Sequence, residues 1–324
     1  MINRRRFLGS LGVGVLAGPV VANAQPAARL PRVGLIGTVP SAYTEAVKQG
    51  LSEQGYIENK TVELDFRYSG GKGELFPEIA AALVKRGVDV LIASSEPATR
   101  AALQATTTIP IVMLVADDPV GAGLVPSLTR PGGNMTGVST FIPDLVGKRL
   151  QLLQELVPKA SRVAVLGHGA DSAVGRAFLE AERAGAVLRL AVAAYKVLEP
   201  TDLESAFAAI AKSRPDGLLV LQNFWMFPHR AKVAEFAARS GLPAVYGLKD
   251  YVTAGGLIAY APDFLETYGR AGSIAGKILK GARPGDIPIE RSTKFEMALN
   301  LKTAKALGLA IPQAVLLRAD HVVE

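Results

Sequence analysis

The feature that most constrains the fold is a strand–loop–helix–strand pattern that occurs twice in the chain. In residues 89–114, an apolar run predicts a buried strand, the polar segment Ser94-Ser95-Glu96-Pro97 leads into a helix, and a second apolar run begins at Ile109. Residues 216–246 repeat this order. Strands that are apolar along their whole length are typical of parallel sheets with both faces covered by helices.

The spacing of the repeated segments indicates two lobes of one architecture. Similar segments start at residues 32 and 162, at 89 and 216, and at 110 and 243, which gives offsets of 130, 127 and 133 residues. A nearly constant offset predicts an internal repeat. The pattern is therefore that of an α/β chain with two Rossmann-like (flavodoxin-like) parallel-sheet lobes and a cleft between their strand-end loops.

Local patterns predict several individual elements. Residues 61–68 alternate between polar and apolar, which indicates an edge strand with one wet face. Residues 172–184 predict a helix that ends at Gly185. Thr201 and Glu204 match a capping box at the start of a further helix.

The composition limits the size and chemistry of the protein. A chain of 324 residues with 49% apolar and 20% charged residues can build two domains with ample cores. Cysteine is absent, which excludes disulfides, thiolate metal sites, a cysteine nucleophile and a lipid-modified cysteine anchor.

The N-terminal segment has the pattern of a secretory signal over residues 1–24. Arg4-Arg5-Arg6-Phe7-Leu8 is a charged start, residues 8–21 are apolar, and Ala22-Asn23-Ala24 is a cleavage site. The paired arginines favour the twin-arginine route, with general secretion and an uncleaved anchor as alternatives. We expect export to the periplasm, cleavage near Ala24, and no stable membrane insertion afterwards.

The net charge gives no support for a nucleic-acid partner. The full chain carries a formal charge of +7, and removal of the three signal arginines leaves 33 basic against 29 acidic residues, or +4. No dense basic tract is interleaved with aromatic residues, so no nucleic-acid surface is predicted.

Short segments along the whole mature chain carry a resemblance to a known family. They resemble the substrate-binding proteins of ABC transporters, specifically the tryptophan/tyrosine-type group. The segments are residues 94–99, 118–121, 128–134, 136–137, 147–150, 228–230, 242–246, 254–257, 294–296, 300–308 and 317–320. One departure is Gly167-His-Gly-Ala-Asp171-Ser172, where this family often has Asn-Pro, and it affects the ligand class on that side.

The resemblance implies a type I periplasmic-binding fold with two lobes joined by a hinge of three crossings. It also implies a small-molecule ligand between the lobes, and an ABC permease with its ATPase as partners. The expected first lobe comprises residues 31–141 with about 256–285. The expected second lobe comprises residues 142–255 with about 286–324, and we expect a monomer.

On the first lobe, the residues after two predicted strands are candidate ligand contacts. Ser95, Ala98 and Thr99 could hold a carboxylate with hydroxyl and backbone N–H groups, although plain helix capping gives the same pattern. Asp118 could accept hydrogen bonds from a ligand ammonium, although it could also form a turn. Asp117 is a weaker candidate of the same kind.

On the second lobe, aromatic residues follow a predicted strand and could stack on a planar ligand. Phe227 is expected to belong to the lobe core instead. The candidates on this side and at the rim of the cleft are Asn223, Phe224, Trp225, Tyr246, Tyr260, Thr38, Tyr43, Asp171 and Ser172.

No pattern of catalytic, metal or cofactor residues accompanies these candidates. His168, His229 and His321 are widely spaced and match no metal-ligand motif. Gly167-His-Gly169 would need glycine at 172 to match a dinucleotide fingerprint, and that residue is serine. No phosphate-binding loop or nucleophile elbow is present, so we expect neither a cofactor nor an enzyme.

The sequence therefore favours a solute receptor that closes on a small carboxylate-bearing ligand. An aromatic or branched amino acid is the first choice of ligand, and an aromatic carboxylate is the second. An exported two-lobe enzyme and a receptor that reports to a membrane signalling partner are the alternatives.

Overall fold

The computed structural model describes residues 29–116, 118–140, 143–169, 172–223 and 225–324. The predicted signal over residues 1–24 and the candidates Asp117, Asp171 and Phe224 lie outside the described residues, as does the side chain of Ser172.

The first lobe is built on a parallel sheet of six strands in the order β11-β5-β4-β3-β1-β2. Helices α1, α2, α3 and α9 belong to this lobe. The strands are β1 (Arg32–Gly37), β2 (Glu63–Tyr68), β3 (Val90–Ala93), β4 (Ile111–Ala116), β5 (Met135–Ser139) and β11 (Glu290–Arg291). The helices are α1 (Ala42–Glu53), α2 (Phe76–Lys85), α3 (Glu96–Ala105) and α9 (Phe264–Leu279).

The second lobe has seven strands in the order β13-β12-β10-β9-β8-β6-β7, and only the β10–β12 pair is antiparallel. The strands are β6 (Arg162–His168), β7 (Ala191–Val197), β8 (Gly217–Val220), β9 (Ala244–Tyr246), β10 (Ile258–Pro262), β12 (Phe295–Asn300) and β13 (His321–Val323). The helices are α4 (Pro143–Leu156), α5 (Ser172–Leu188), α6 (Asp202–Ser213), α7 (Arg230–Arg239), α8 (Asp250–Thr253), α10 (Leu301–Ala306) and α11 (Gln313–Leu316).

These sheets confirm the prediction of two α/β lobes with mainly parallel strands. Strand β2 lies at the edge of its sheet, as its alternating sequence predicts. Both of its faces are half-buried, however, so neither is a clean wet face. Among the described residues, no helix is both long enough and apolar enough to cross a membrane.

The chain crosses between the lobes three times. It passes from β5 to α4 over residues 140–143, returns from β10 to α9 at Asp263, and crosses again over 292–294 between β11 and β12. The expected boundary at residue 256 differs from the observed crossing because β10 still belongs to the second sheet. The glycines at 255–256 make a turn inside that lobe, where Gly255 has a φ of 101°.

The crossings at Asp263 and Lys294 are bonded to each other. The Asp263 N–H donates to the Lys294 carbonyl (2.9 Å), and the Lys294 ammonium lies 2.7 Å from the Asp263 carboxylate. Burial opposes ionisation of Asp263, but Lys294 and the Glu266 N–H outweigh it, so the pKa of Asp263 is below its usual value. The two crossings therefore form one connected part of the hinge.

Two local predictions are wrong, each for a physical reason. Helix α5 continues through Gly185 to Leu188. A Cβ at Gly185 would lie 2.5 Å from Val192 Cγ2, so the glycine permits close packing rather than ending the helix. Thr201 makes no side-chain cap, because its backbone is helical (φ −66°, ψ −26°) rather than extended as in a capping residue.

Candidate functional site

The carboxyl ends of both sheets face a cleft between the lobes, where parallel α/β sheets place their ligand sites. On the first lobe, buried hydroxyl residues directly follow four strands. We call this set the hydroxyl row: Thr38, Ser69, Ser94 and Thr140. The hydroxyls of Ser69 and Thr140 have no hydrogen-bond partner among the described residues. The row is uncharged and rich in donors, which suits a ligand carboxylate.

A small inter-lobe cavity lies beside this row. Its volume is about 10 Å³, room for about one water molecule. Phe227 of the second lobe closes it, and all the other lining residues belong to the first lobe. The lining residues are Gly37, Thr38, Val39, Ser41, Tyr43, Thr44, Ser94, Phe227 and Tyr268. The cavity therefore combines hydroxyl groups with aromatic rings.

Tyr43 joins the two lobes at this cavity. Its hydroxyl donates a hydrogen bond to the carboxylate of Asp250, at the start of α8 in the second lobe. Its ring centroid lies 6.4 Å from Phe227, 5.8 Å from Phe264 and 5.7 Å from Tyr268. Burial, together with the charge of Asp250, raises the pKa of Tyr43, so the phenol stays a protonated donor.

A second polar contact between the lobes is centred on Glu96. This carboxylate begins α3 and is almost wholly buried. Arg100 lies 2.8 Å from it on the same helix, and Arg176 of α5 lies 3.2 Å from it across the cleft. The lobes of this structure are thus in contact through two polar pairs, Tyr43 with Asp250 and Glu96 with Arg176.

The second lobe presents amide and aromatic groups to the cleft. The Asn223 side-chain oxygen accepts a hydrogen bond from the backbone N–H of Trp225 (2.7 Å). The Trp225 ring stacks on the His168 ring, with centroids 4.4 Å apart. Gln222 is buried, and neither its amide oxygen nor its amide nitrogen has a hydrogen-bond partner within the described ranges. Burial, then Lys232, lowers the pKa of His229, which lies beside Trp225. The side chains at this end of the second lobe are therefore chemically more varied than those of the hydroxyl row.

Among the first-lobe candidates, the structure brings Thr38 and Tyr43 to the cavity. The groups of Ser95, Ala98 and Thr99 instead bond to one another. The Ser95 hydroxyl accepts the Ala98 N–H (3.3 Å), and the Thr99 hydroxyl donates to the Ser95 carbonyl (2.9 Å). This is the helix-capping arrangement, and a ligand role for these three residues stays a prediction.

The remaining candidates have local partners of their own. Asp118 accepts the Gly121 N–H (2.9 Å) in a turn. Tyr246 is fully buried and stacks on Tyr251 with centroids 4.8 Å apart. Tyr260 is partly buried and lies 6.0 Å from the Phe295 ring. Their ligand roles, like those of Asn223 and Trp225, stay predictions.

Sequence reasoning missed several residues of the cleft. Phe227 belongs to the core as expected, but it also lines the cavity. Glu96, Arg176 and Asp250 make the contacts between lobes, and their partners lie 80 and 207 residues away in sequence. Such pairs leave no local pattern. The described residues contain no group of three His, Asp or Glu side chains placed to hold a metal ion.

Comparisons with known proteins agree with this two-lobe geometry. A family model described as "ABC transporter substrate binding protein" matches residues 39–323. The "Tyrosine-binding protein" of Clostridioides difficile (strain R20291) is 26% identical over 332 residues, covering 95% of this chain and 94% of that protein. Solved structures with the type I periplasmic-binding fold are also similar, which confirms the expected fold.

Two solved structures, one in complex with a ligand and one ligand-free, are also similar. The ABC domain from Streptococcus pneumonia in complex with L-Trp is 26% identical with a TM-score of 0.85, covering 91% of this chain and 100% of that one. A ligand-free, open structure of a substrate binding protein with adhesive properties from Clostridium difficile is 23% identical with a TM-score of 0.67, covering 91% and 99%.

Proposed function

The chain belongs to the family of ABC transporter substrate binding proteins, and we propose that it is an exported receptor for an aromatic amino acid. The observation that carries this proposal is the inter-lobe cavity, which combines hydroxyl groups of one lobe with aromatic rings of both. The tyrosine-binding relative and the L-Trp complex support the choice of ligand.

The hydroxyl row supplies the contacts for the ligand carboxylate. Thr38 and Ser94 line the cavity beside the start of α1. The hydroxyls of Ser69 and Thr140, which have no partner among the described residues, follow β2, next to β1, and β5, which β4 separates from β3. Helix N-termini and hydroxyl donors stabilise a carboxylate without a formal positive charge.

The aromatic rings supply the contact for the ligand side chain. Tyr43, Phe227 and Tyr268 meet at the cavity from two lobes. Edge-to-face and offset contacts between rings stabilise by about 0.5–1.5 kcal/mol beyond the burial of their area. This preference favours an aromatic amino acid over a branched one, and an aromatic carboxylate is the second candidate.

Binding requires the lobes to open and close. A cavity of about 10 Å³ cannot admit an amino acid while Phe227 covers it. The shape of this structure is nearer to the L-Trp complex than to the open relative, which supports a closed conformation here. A ligand that contacts both lobes shifts the population toward the closed form, and the permease with its ATPase then receives the ligand from that form.

The exported location follows from the predicted signal over residues 1–24, and it remains part of the proposal. Two of the relatives are named as a tyrosine-binding protein and a substrate binding protein rather than as enzymes. A receptor that reports to a signalling partner would use the same closure, and transport assays separate the two roles.

The test is calorimetric titration of the mature chain with L-tyrosine, L-tryptophan, L-phenylalanine, L-leucine and benzoate. We expect the aromatic amino acids to bind most tightly, and mass spectrometry to recover each ligand unchanged. Chemical conversion of the ligand, or tighter binding of L-leucine than of all three aromatic amino acids, would contradict the proposal.

A further inference from the structure

We propose that Glu96 and Arg176 form an inter-lobe latch, which sets how long the closed receptor holds its ligand. This inference rests on the proposed function, because it concerns the closure of the same cleft. Glu96 belongs to α3 of the first lobe, Arg176 belongs to α5 of the second, and their charged groups lie 3.2 Å apart.

Two arginines supply opposite charge to the buried carboxylate of Glu96. The residue is 4% exposed, and a carboxylate removed from water is stabilised only by opposite charge and hydrogen bonds. Arg100 lies one turn along the same helix and also donates to the Ala122 carbonyl (2.8 Å), so it is tied to the first lobe. Of the two arginines, Arg176 is therefore the one whose contact with Glu96 is lost when the lobes separate.

The open state can tolerate the loss of Arg176. Glu96 is the first residue of α3, where the N-terminal end of the helix stabilises negative charge. Arg100 stays beside it, and water reaches the carboxylate once the second lobe has moved away. The latch thus favours closure without preventing the lobes from opening.

The Glu96–Arg176 pair also leaves one hydrogen-bond donor unused in the closed state. The Nε–H of Arg176 is buried and has no hydrogen-bond partner in the part of the chain that the structure describes. A buried unpaired donor costs free energy, which offsets part of the attraction to Glu96. This balance suits a contact that must break each time a ligand is released.

The latch lies apart from the cavity. Neither Glu96 nor Arg176 lines it, whereas Tyr43, which makes the other polar contact between the lobes, does. Loss of the latch should therefore change the rate of ligand release but not the preference among ligands. Loss of a cavity residue should change both.

The first experiment follows the lobes without any ligand. The chain has no cysteine, so Lys60→Cys and Lys159→Cys place two dyes at exposed positions on different lobes. We expect Arg176→Gln to shift single-molecule energy transfer in the ligand-free protein toward a second, open population. Arg176→Lys should keep most of the closed population because it keeps the charge.

The second experiment is a double-mutant cycle with L-tyrosine as the probe. We expect Arg176→Gln and Glu96→Gln each to raise its Kd about tenfold through faster release, and the double variant to cost little more than one of them. The ratio of L-tyrosine to L-tryptophan affinity should stay unchanged. Arg239→Gln, at an exposed ion pair on α7 of the same lobe, is the matched control and should have no effect.

An unchanged closed population in the ligand-free Arg176→Gln protein would overturn the latch, as would fully additive effects in the cycle. Circular dichroism and urea unfolding confirm that each variant is folded. If L-tyrosine does not bind the wild-type chain, the proposed ligand is wrong. The ligand-free measurement still decides whether the two residues hold the lobes together.

Discussion

At the amino ends of their strands, the two lobes use the same hydrogen bonds. In the first lobe, the Arg32 N–H donates to the Asp89 carboxylate (2.7 Å) and the Asp89 N–H donates back to the Arg32 carbonyl (2.7 Å). Arg162 and Asp216 repeat this exchange in the second lobe at 2.9 and 2.8 Å. Both arginine side chains also donate to the C-terminal end of a neighbouring helix.

At the carboxyl ends, the lobes share little. The first lobe carries the uncharged hydroxyl row, while the second carries Gln222, Asn223, and the stacked pair of Trp225 and His168. The amino ends only have to fix one strand to the next, so the same residues serve in both copies. In the proposed receptor the carboxyl ends would meet different parts of one asymmetric ligand, which would explain why the repeat is lost there.

Glycine-to-alanine substitutions between packed helices should show the largest difference in stability effect between the two lobes. A Cβ at Gly50 of α1 would lie 1.9 Å from the Gly269 carbonyl oxygen of α9, whereas a Cβ at Gly147 of α4 would meet only the Ala184 Cβ at 3.6 Å. We expect Gly50→Ala to lower the free energy of unfolding by about 3 kcal/mol. Gly147→Ala should raise it by up to about 1 kcal/mol through helix propensity.

Urea unfolding of the two variants checks this prediction. Equal effects on the free energy of unfolding would mean that α1 and α9 can move apart at little cost. In that case the close packing of helices would not distinguish the first lobe from the second.

The shared hydrogen bonds at the amino ends should have similar weight in both lobes. Each aspartate carboxylate accepts a backbone N–H, and loss of a charged acceptor leaves that donor unpaired. We expect Asp89→Ala and Asp216→Ala each to cost about 1–3 kcal/mol, with the affinity for L-tyrosine unchanged. A loss confined to one variant would show that the two copies no longer do the same structural work.

Sequence reasoning could predict the parts of the fold that depend on local pattern. The apolar strands, their parallel order within two lobes and the offset between Arg32 and Arg162 follow from runs and spacings that are visible in one dimension. The residues at which the chain crosses between the lobes could not be predicted in this way, because the sequence of β10 would fit either sheet. The glycines at 255–256 turn the chain without leaving the lobe.

The candidate site could be predicted only in outline. Strand-end loops placed Thr38 and Tyr43 near the cleft, but the partner of Tyr43 is Asp250, which lies 207 residues away. Glu96 is buried because the second lobe covers it. The sequence around Glu96 gives no indication of this burial. Charged and aromatic residues become site residues through contacts between lobes, and a single sequence does not contain those contacts.

Two threonines near opposite ends of β5 allow a finer test of the hydroxyl row. Both are fully buried, but the Thr136 hydroxyl donates to the Ile287 carbonyl (2.8 Å) while the Thr140 hydroxyl has no partner. We expect Thr140→Val to stabilise the ligand-free protein by about 1 kcal/mol, and Thr136→Val to destabilise it by a similar amount.

Thermal unfolding with and without L-tyrosine measures both effects. Thr140→Val should also reduce the stabilisation that the ligand confers, because the hydroxyl is proposed to face the carboxylate. If the variant keeps the full ligand effect, Thr140 does not belong to the binding surface.

The smallest expected effect is a difference in how low pH lowers the stability of the wild type and of Asp216→Asn. The N–H groups of Ser161 and Arg162 lower the pKa of Asp216 below its usual value of 3.8. A carboxyl with a lowered pKa in the folded state stabilises the protein fully above the unfolded value, and this contribution is lost as the pH falls below it. We expect the urea midpoint of the wild type to fall between about pH 5 and pH 3, and that of Asp216→Asn to fall less. Equal slopes for the two proteins would mean that acid weakens other carboxylates and that the exchange between Arg162 and Asp216 adds nothing to the pH dependence.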